Sequence, residues 1–154
     1  MEELSQHILD LSLNSLEAGA TRLEILVREN TAENYLEFKV RDNGLGIADE
    51  DIPKVLDPFY TTKKNKRVGL GIPLLRDAVE RCGGSFRIRG MPTAGTTVTA
   101  VFPHRHPDRA PLGDIAGTLN VLIAGNRNLH LIYKHEYNGN HFFFNTEELV
   151  GTLG

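Results

Sequence analysis

Asp42-Asn43-Gly44-Leu45-Gly46-Ile47 closes an alternating apolar segment (Tyr35, Leu36, Phe38, Val40) that has the period of a strand. An acidic stretch with helix-start character follows it. An aspartate at a strand end, followed by two glycines one residue apart, marks backbone that must approach something closely. Alone, the hexapeptide would serve equally as an Asp-Asn-Gly turn. Its company decides the reading: an asparagine-bearing helix lies upstream, and a second Gly-Leu-Gly lies downstream at Gly69-Leu70-Gly71.

The chain has 154 residues, enough for one domain with a full core and an appendage. Apolar residues make up 40%, charged residues 24%, and the net charge is −3, the balance of an ordinary water-soluble domain. No basic excess or stripe marks a nucleic-acid surface. No apolar run approaches the roughly 20 residues of a membrane helix, and no signal peptide opens the sequence. A single cysteine, Cys82, excludes an internal disulfide framework and fits a reducing cytoplasm. Its place at a helix end suits a small buried hydrophobe.

Residues 3–18 carry Leu4, Ile8, Leu11 and Leu16 at helical spacing, with Gly19 as the stop. Asp10 and Asn14 are four apart and share a face of that helix. Arg22–Glu29 and Tyr35–Asp42 form strands around a 31–34 hairpin loop. A short helix opens near Pro53 and runs to about Leu56. Residues 59–71 are polar, cationic and without period, and they lead into a helix from Ile72 to Cys82. Glycine-rich backbone, a helix N-terminus and nearby lysines together suit a phosphate. Leu74 takes the place of the third glycine of a dinucleotide fingerprint, which rules out that reading. Ser85–Arg89 and Thr96–Phe102 complete a second strand pair.

Pro103 to Pro111 is a proline-punctuated linker, and with no further ligand cluster to make a metal site, His104, His106 and Asp108 are expected as solvated linker residues. A helix from Leu112 to Gly125 follows, then a strand through Leu129, Leu131, Tyr133 and Tyr137. Asn138-Gly139 signals a hairpin, with Phe142-Phe143-Phe144 as the return strand. His130, His135 and His141 are expected at the surface, and His7 as a structural or solvent-facing residue. The expected class is α+β: a two-layer α/β sandwich over residues 1–103 with a small α-β-β appendage over 104–154. The appendage is too small for its own core and must pack on the rest or on another chain.

Four segments, in order, resemble the GHKL (Bergerat-fold) ATPases, the superfamily of gyrase, Hsp90, histidine kinases and MutL. The helix Ile8 to Thr21 is similar to the N-box, with a MutL-like Ser-Leu-Glu-Ala-Gly-Ala-Thr ending. Asp42 with Gly44 and Gly46 resembles the first glycine box. Phe59-Tyr-Thr-Thr-Lys-Lys64 followed by Gly69-Leu70-Gly71 resembles the lid region of histidine kinases. Gly95-Thr96-Thr97-Val98 resembles the late Gly-Thr strand.

The resemblance implies ATP and Mg²⁺ as ligands. Asn14 would give its amide oxygen to Mg²⁺, and Asp42 would accept the adenine amino hydrogen, with Thr96 sharing that contact. Gly44, Gly46, Thr62, Lys63, Gly69, Leu70 and Gly71 would line the nucleotide. Asp10 stands where the family commonly has a general-base glutamate. It is one methylene shorter, and a shift on the order of 1 Å can cost about a hundredfold in rate.

The implied activity is that of a stand-alone kinase, similar to histidine kinase catalytic domains or anti-sigma serine kinases. It would pass the γ-phosphoryl to a separate protein, with the appendage holding that partner or a second copy. A nucleotide-sensing module without turnover is the alternative, and a MutL- or Hsp90-like clamp is a third.

Overall fold

A computed structural model describes residues 3–57, 71–91 and 94–147. The elements run α1 (Leu4–Glu17), β1 (Arg22–Asn30), β2 (Tyr35–Asp42), a 3₁₀ turn (Asp49–Asp51), α2 (Ile52–Leu56), α3 (Gly71–Arg81), β3 (Ser85–Met91), β4 (Gly95–Pro103), α4 (Ile115–Gly125), β5 (His130–Tyr137) and β6 (Asn140–Asn145). Among the described residues six strands form one sheet in the order β3-β4-β2-β1-β5-β6. Every neighbouring pair is antiparallel except β1 and β5, which run parallel from Arg22↔His130 to Glu29↔Tyr137. The sheet is therefore mixed, and its parallel pair is made by β5 from the segment after Pro103.

Period-two alternation sends Leu23, Ile25 and Val27 of β1, Leu36, Phe38 and Val40 of β2, and Val98, Ala100 and Phe102 of β4 into one buried layer. Leu4, Ile8 and Leu11 of α1 and Leu75 and Val79 of α3 cover that layer. The rings of Phe38 and Phe102 stack with centroids 6.1 Å apart at its centre. Truncating any of the leucines, isoleucines or phenylalanines among them to alanine costs about 2–5 kcal/mol, because a close-packed interior closes only partly over the void.

Helix α4 begins at Ile115, three residues later than periodicity suggests, and the reason lies in α1. The N-cap residue of α1, Glu3, makes no side-chain cap bond. The carbonyls of Pro111 and Leu112 accept instead from the first free amides of α1, Leu4 and Ser5, each at 2.8 Å. With its carbonyl engaged there, Leu112 stays outside the helix. Gly113 then turns with φ +82°, and Asp114 caps α4 by accepting from the Gly117 amide at 2.8 Å. Thr118 of α4 reaches the Ser5 carbonyl at 3.4 Å, tying α4 to α1.

The linker histidines are not simply solvated. His104 Nε2 lies 3.1 Å from one oxygen of Glu29 and His135 Nε2 lies 2.7 Å from the other, in a site where the carboxylate is largely enclosed. His135 also meets the Tyr133 hydroxyl through Nδ1 at 2.9 Å. His106 Nδ1 accepts from the Asp108 amide, and His7 is buried. Among the described residues no group of three metal-ligating side chains forms. Cys82 is buried and its thiol is pushed up chiefly by that burial.

Tyr133, enclosed by its neighbours, has its phenol pushed up to about 12, first by desolvation and then by the Glu29 charge. The unfolded chain loses that proton near pH 10 while the fold retains it, so stability falls between about pH 10 and 12 and levels off above. Urea melts across that range should show the fall. The same series on Tyr133→Phe should lose this contribution.

Candidate nucleotide-binding site

Asp42 ends β2 half-buried, at the point where α1, the 43–48 loop and the start of β4 converge. Among the described residues, three donors hold its carboxylate. The Ser15 hydroxyl donates to Oδ2 at 2.6 Å, while the amides of Gly44 and Thr96 donate to Oδ1 at 2.8 and 3.3 Å. A carboxylate offers about four lone-pair sites, so one acceptor position is left by the described residues. Asn43 locks the neighbouring turn: its Oδ1 accepts from the Thr21 and Arg22 amides at 2.9 Å each, and its Nδ2 donates to the Thr21 hydroxyl at 3.0 Å. The Leu45 amide donates to the Ala18 carbonyl at 3.3 Å, fixing the loop to the C-terminal end of α1.

Two glycines are required by this geometry. Gly46 turns the loop with φ +78°. Gly95, at φ +116°, passes so close to the Asp42 carbonyl that an added Cβ would collide with it.

Beside Asp42 lies a cavity of about 200 Å³. Leu11, Val40, Val55, Ile72 and Val98 give it apolar walls, and Asn14, Ser15, Asp42 and Thr96 supply its polar groups. Apolar walls with a few placed polar groups are the usual make-up of a small-molecule site. At the α1–α3 side, a Cβ on Gly71 would lie 3.5 Å from the Asp10 Cβ and 3.6 Å from Asn14 Nδ2. That Asn14 nitrogen is buried and has no hydrogen-bond partner among the described residues. An orphaned buried amide costs about 1–3 kcal/mol, a cost that a ligand beside it can relieve. Which amide atom is oxygen and which nitrogen is an assignment, so the group can present its oxygen to a cation as readily as its nitrogen to an acceptor.

Asp10, Asn14, Asp42, Gly44, Gly46, Gly71 and Thr96 are thus gathered around one cleft. Thr62, Lys63, Gly69 and Leu70 lie outside the described residues. Ser15 was not among the expected site residues, although it makes the shortest bond to Asp42. A helical serine carries no signal by itself, and its partner is 27 residues away. Ser15→Ala should raise the dissociation constant for ATP about tenfold, the worth of one charge-assisted hydrogen bond. Isothermal titration beside the parent would measure it.

The likenesses to known proteins fall on this frame. The sequence is 29% identical over 112 residues to the sensor histidine kinase ZraS of Escherichia coli strain K12, covering 73% of this chain and 24% of that one. It is 30% identical over 113 residues to the sensor histidine kinase WalK of Bacillus subtilis, covering 68% of this chain and 18% of that one. The chain therefore spans a quarter or less of the length of these relatives.

By fold it resembles the catalytic domain of histidine kinase ThkA, with a TM-score of 0.54, 24% identity and 68% of each chain covered. It also resembles the Aquifex aeolicus MutL ATPase domain complexed with ADP, with a TM-score of 0.59 and 17% identity over 94% of this chain and 63% of that one. A likeness over 94% of the chain takes in much of the segment after Pro103. Residues 2–106 match the family model described as histidine kinase-, DNA gyrase B-, and HSP90-like ATPase. The chain belongs to that ATPase family and carries its ATP-binding domain.

Proposed function

We propose that this chain binds Mg-ATP with the adenine ring in the cavity beside Asp42 and passes the γ-phosphoryl to a residue on a separate protein. The observation that carries the reading is the preset carboxylate. Among the described residues three fixed donors orient Asp42, and they leave one acceptor position for the exocyclic amine of adenine. At about 200 Å³ the cavity is smaller than the roughly 300–1,000 Å³ of sites that enclose a whole drug-sized ligand. It suits the base, with the phosphates directed along α1 toward Asn14 and the start of α3 at Gly71.

Asn14 fits a magnesium ligand, a hard oxygen donor beside waters and phosphates, and the ion would supply neutralisation of phosphate charge. The amides at the start of α3 favour the same anion. Phosphoryl transfer asks mainly for positioning and charge neutralisation, which this arrangement is suited to provide.

In this reading Asp10 takes little part in activating water, being a methylene short of a glutamate. That shortening also favours a second reading, in which the chain senses ATP without turning it over. A cytoplasmic location accords with the single buried thiol, and no helix among the described residues is long and apolar enough to cross a membrane.

The test is incubation with Mg²⁺ and γ-labelled ATP, alone and with lysate from the protein's own organism, beside Asn14→Asp. A labelled partner band that disappears in the variant would establish transfer. Mg-dependent binding with neither label nor released phosphate would favour the sensing module. No ATP binding at all would sink both.

A further inference from the structure

The two edges of the sheet are treated differently. β3, at one edge, carries Arg87 and Arg89, and the backbone at Ile47 lies so close to Gly90 that a Cβ there would collide with it. Charge and a covering segment are common protections of an edge strand. β6, at the other edge, is Asn140-His-Phe-Phe-Phe-Asn145, without lysine, arginine, proline or acidic residue. Among the described residues, no backbone hydrogen bond reaches it from outside the β5 ladder. Phe142 and Phe143 are 58% and 49% exposed, on opposite faces of the strand.

The hairpin turn tells which groups of β6 are open. Asn138 and Gly139 have φ +47° and +87°, the signature of a two-residue type I′ turn. Such a turn closes on a mutually bonded pair, here Tyr137↔Asn140. Alternation then directs the backbone groups of Phe142 and Phe144 to β5. It leaves the amides and carbonyls of His141, Phe143 and Asn145 on the open side.

These open groups are self-complementary. We propose that β6 is a dimerisation edge, pairing antiparallel with β6 of a second copy about a two-fold axis at Phe143 and merging the two sheets into one. In that register Phe143 pairs with Phe143 of the second copy, and His141 pairs with Asn145. Phe142 meets Phe144 on the helix-bearing face, so both exposed rings are covered. A second copy fits better than an unrelated strand because both faces of the edge match themselves, which is the condition for an isologous contact. Nothing in this pairing involves the nucleotide site, so it stands or falls separately from ATP binding.

Sedimentation velocity over a concentration series on the full chain tests it. The parent should form a dimer. Phe143→Glu should raise its dissociation constant at least about tenfold, because like charges would then face each other across the axis. The same glutamate would face Lys134 across β5 within one copy, so the variant keeps its fold, and a thermal melt checks this.

Register is tested by cross-linking. Phe143→Cys places two sulfurs on a directly opposed pair about 5.5 Å apart at Cα, within disulfide reach, and should oxidise to a covalent dimer. Phe142→Cys, whose partner is Phe144, should not. A parent that stays monomeric at every concentration would overturn the proposal, as would a dimer indifferent to Phe143→Glu. Cross-linking of the Phe142→Cys variant as fast as Phe143→Cys would do the same.

Discussion

Asp42→Asn is expected to weaken ATP binding at least about a hundredfold, near 3 kcal/mol, while the chain stays folded. The carboxylate takes the Ser15 hydroxyl on Oδ2 and the Gly44 and Thr96 amides on Oδ1. An asparagine keeps a single acceptor oxygen. If that oxygen faces the two amides, the new NH₂ group faces the cavity and the Ser15 hydroxyl, which can turn to accept from it. The NH₂ would then confront the amine of adenine donor to donor, and a buried site that mispairs a ligand donor discriminates strongly. Titration calorimetry with ATP and with a nucleotide lacking the exocyclic amine gives the decisive comparison. The parent should prefer ATP by a wide margin, and the variant should lose most of that preference. Equal affinity of the parent for the two nucleotides would remove Asp42 from base recognition.

Ending the chain at Pro103 is expected to abolish cooperative folding. The cut removes β5, which is paired with β1 over eight residues, and with it the buried Leu129, Leu131, Ile132 and Tyr133. It also removes Ile115 and Leu122, which belong to the same buried cluster as α1, and the two carbonyls that cap the start of α1. Losing even one buried side chain of this size costs about 2–5 kcal/mol, and a domain has only about 5–15 kcal/mol in all. Calorimetry on the 1–103 fragment should show no unfolding peak, and its far-ultraviolet dichroism should fall short of the parent's share. A sharp transition together with ATP binding would mean that the last third of the chain is a separable attachment.

The parts of this fold that could be read from the chain are those with local causes. α1 follows from Leu4, Ile8 and Leu11 at helical spacing, and β2 from the alternation that ends at Asp42. The placement of Asn14 and Asp10 on one helix face followed from their separation of four. What escaped was decided by contacts between distant segments. Ser15 matters because β2 ends opposite it, and nothing near Ser15 in sequence says so. His104 and His135 looked like surface residues because their shared partner, Glu29, is 75 and 106 positions away. Leu112 has the apolar character of a first helical turn, yet its carbonyl is bonded to α1 and the helix waits for Asp114. The Asn138-Gly139 signal announced a hairpin without saying that its first strand would lie parallel to β1.

That parallel neighbour has a consequence for how the molecule is made. Glu29 leaves the ribosome 106 residues ahead of His135, its partner across the β1–β5 junction. At roughly 5–20 residues per second, β1 waits on the order of 5–20 s with one side open while β2 is already able to pair with the other. Joining so distant a strand is the slow kind of step in folding, because the connecting chain must be ordered first. The interval in which a nascent chain is most exposed to mispairing therefore ends only when β5 has been made and docked.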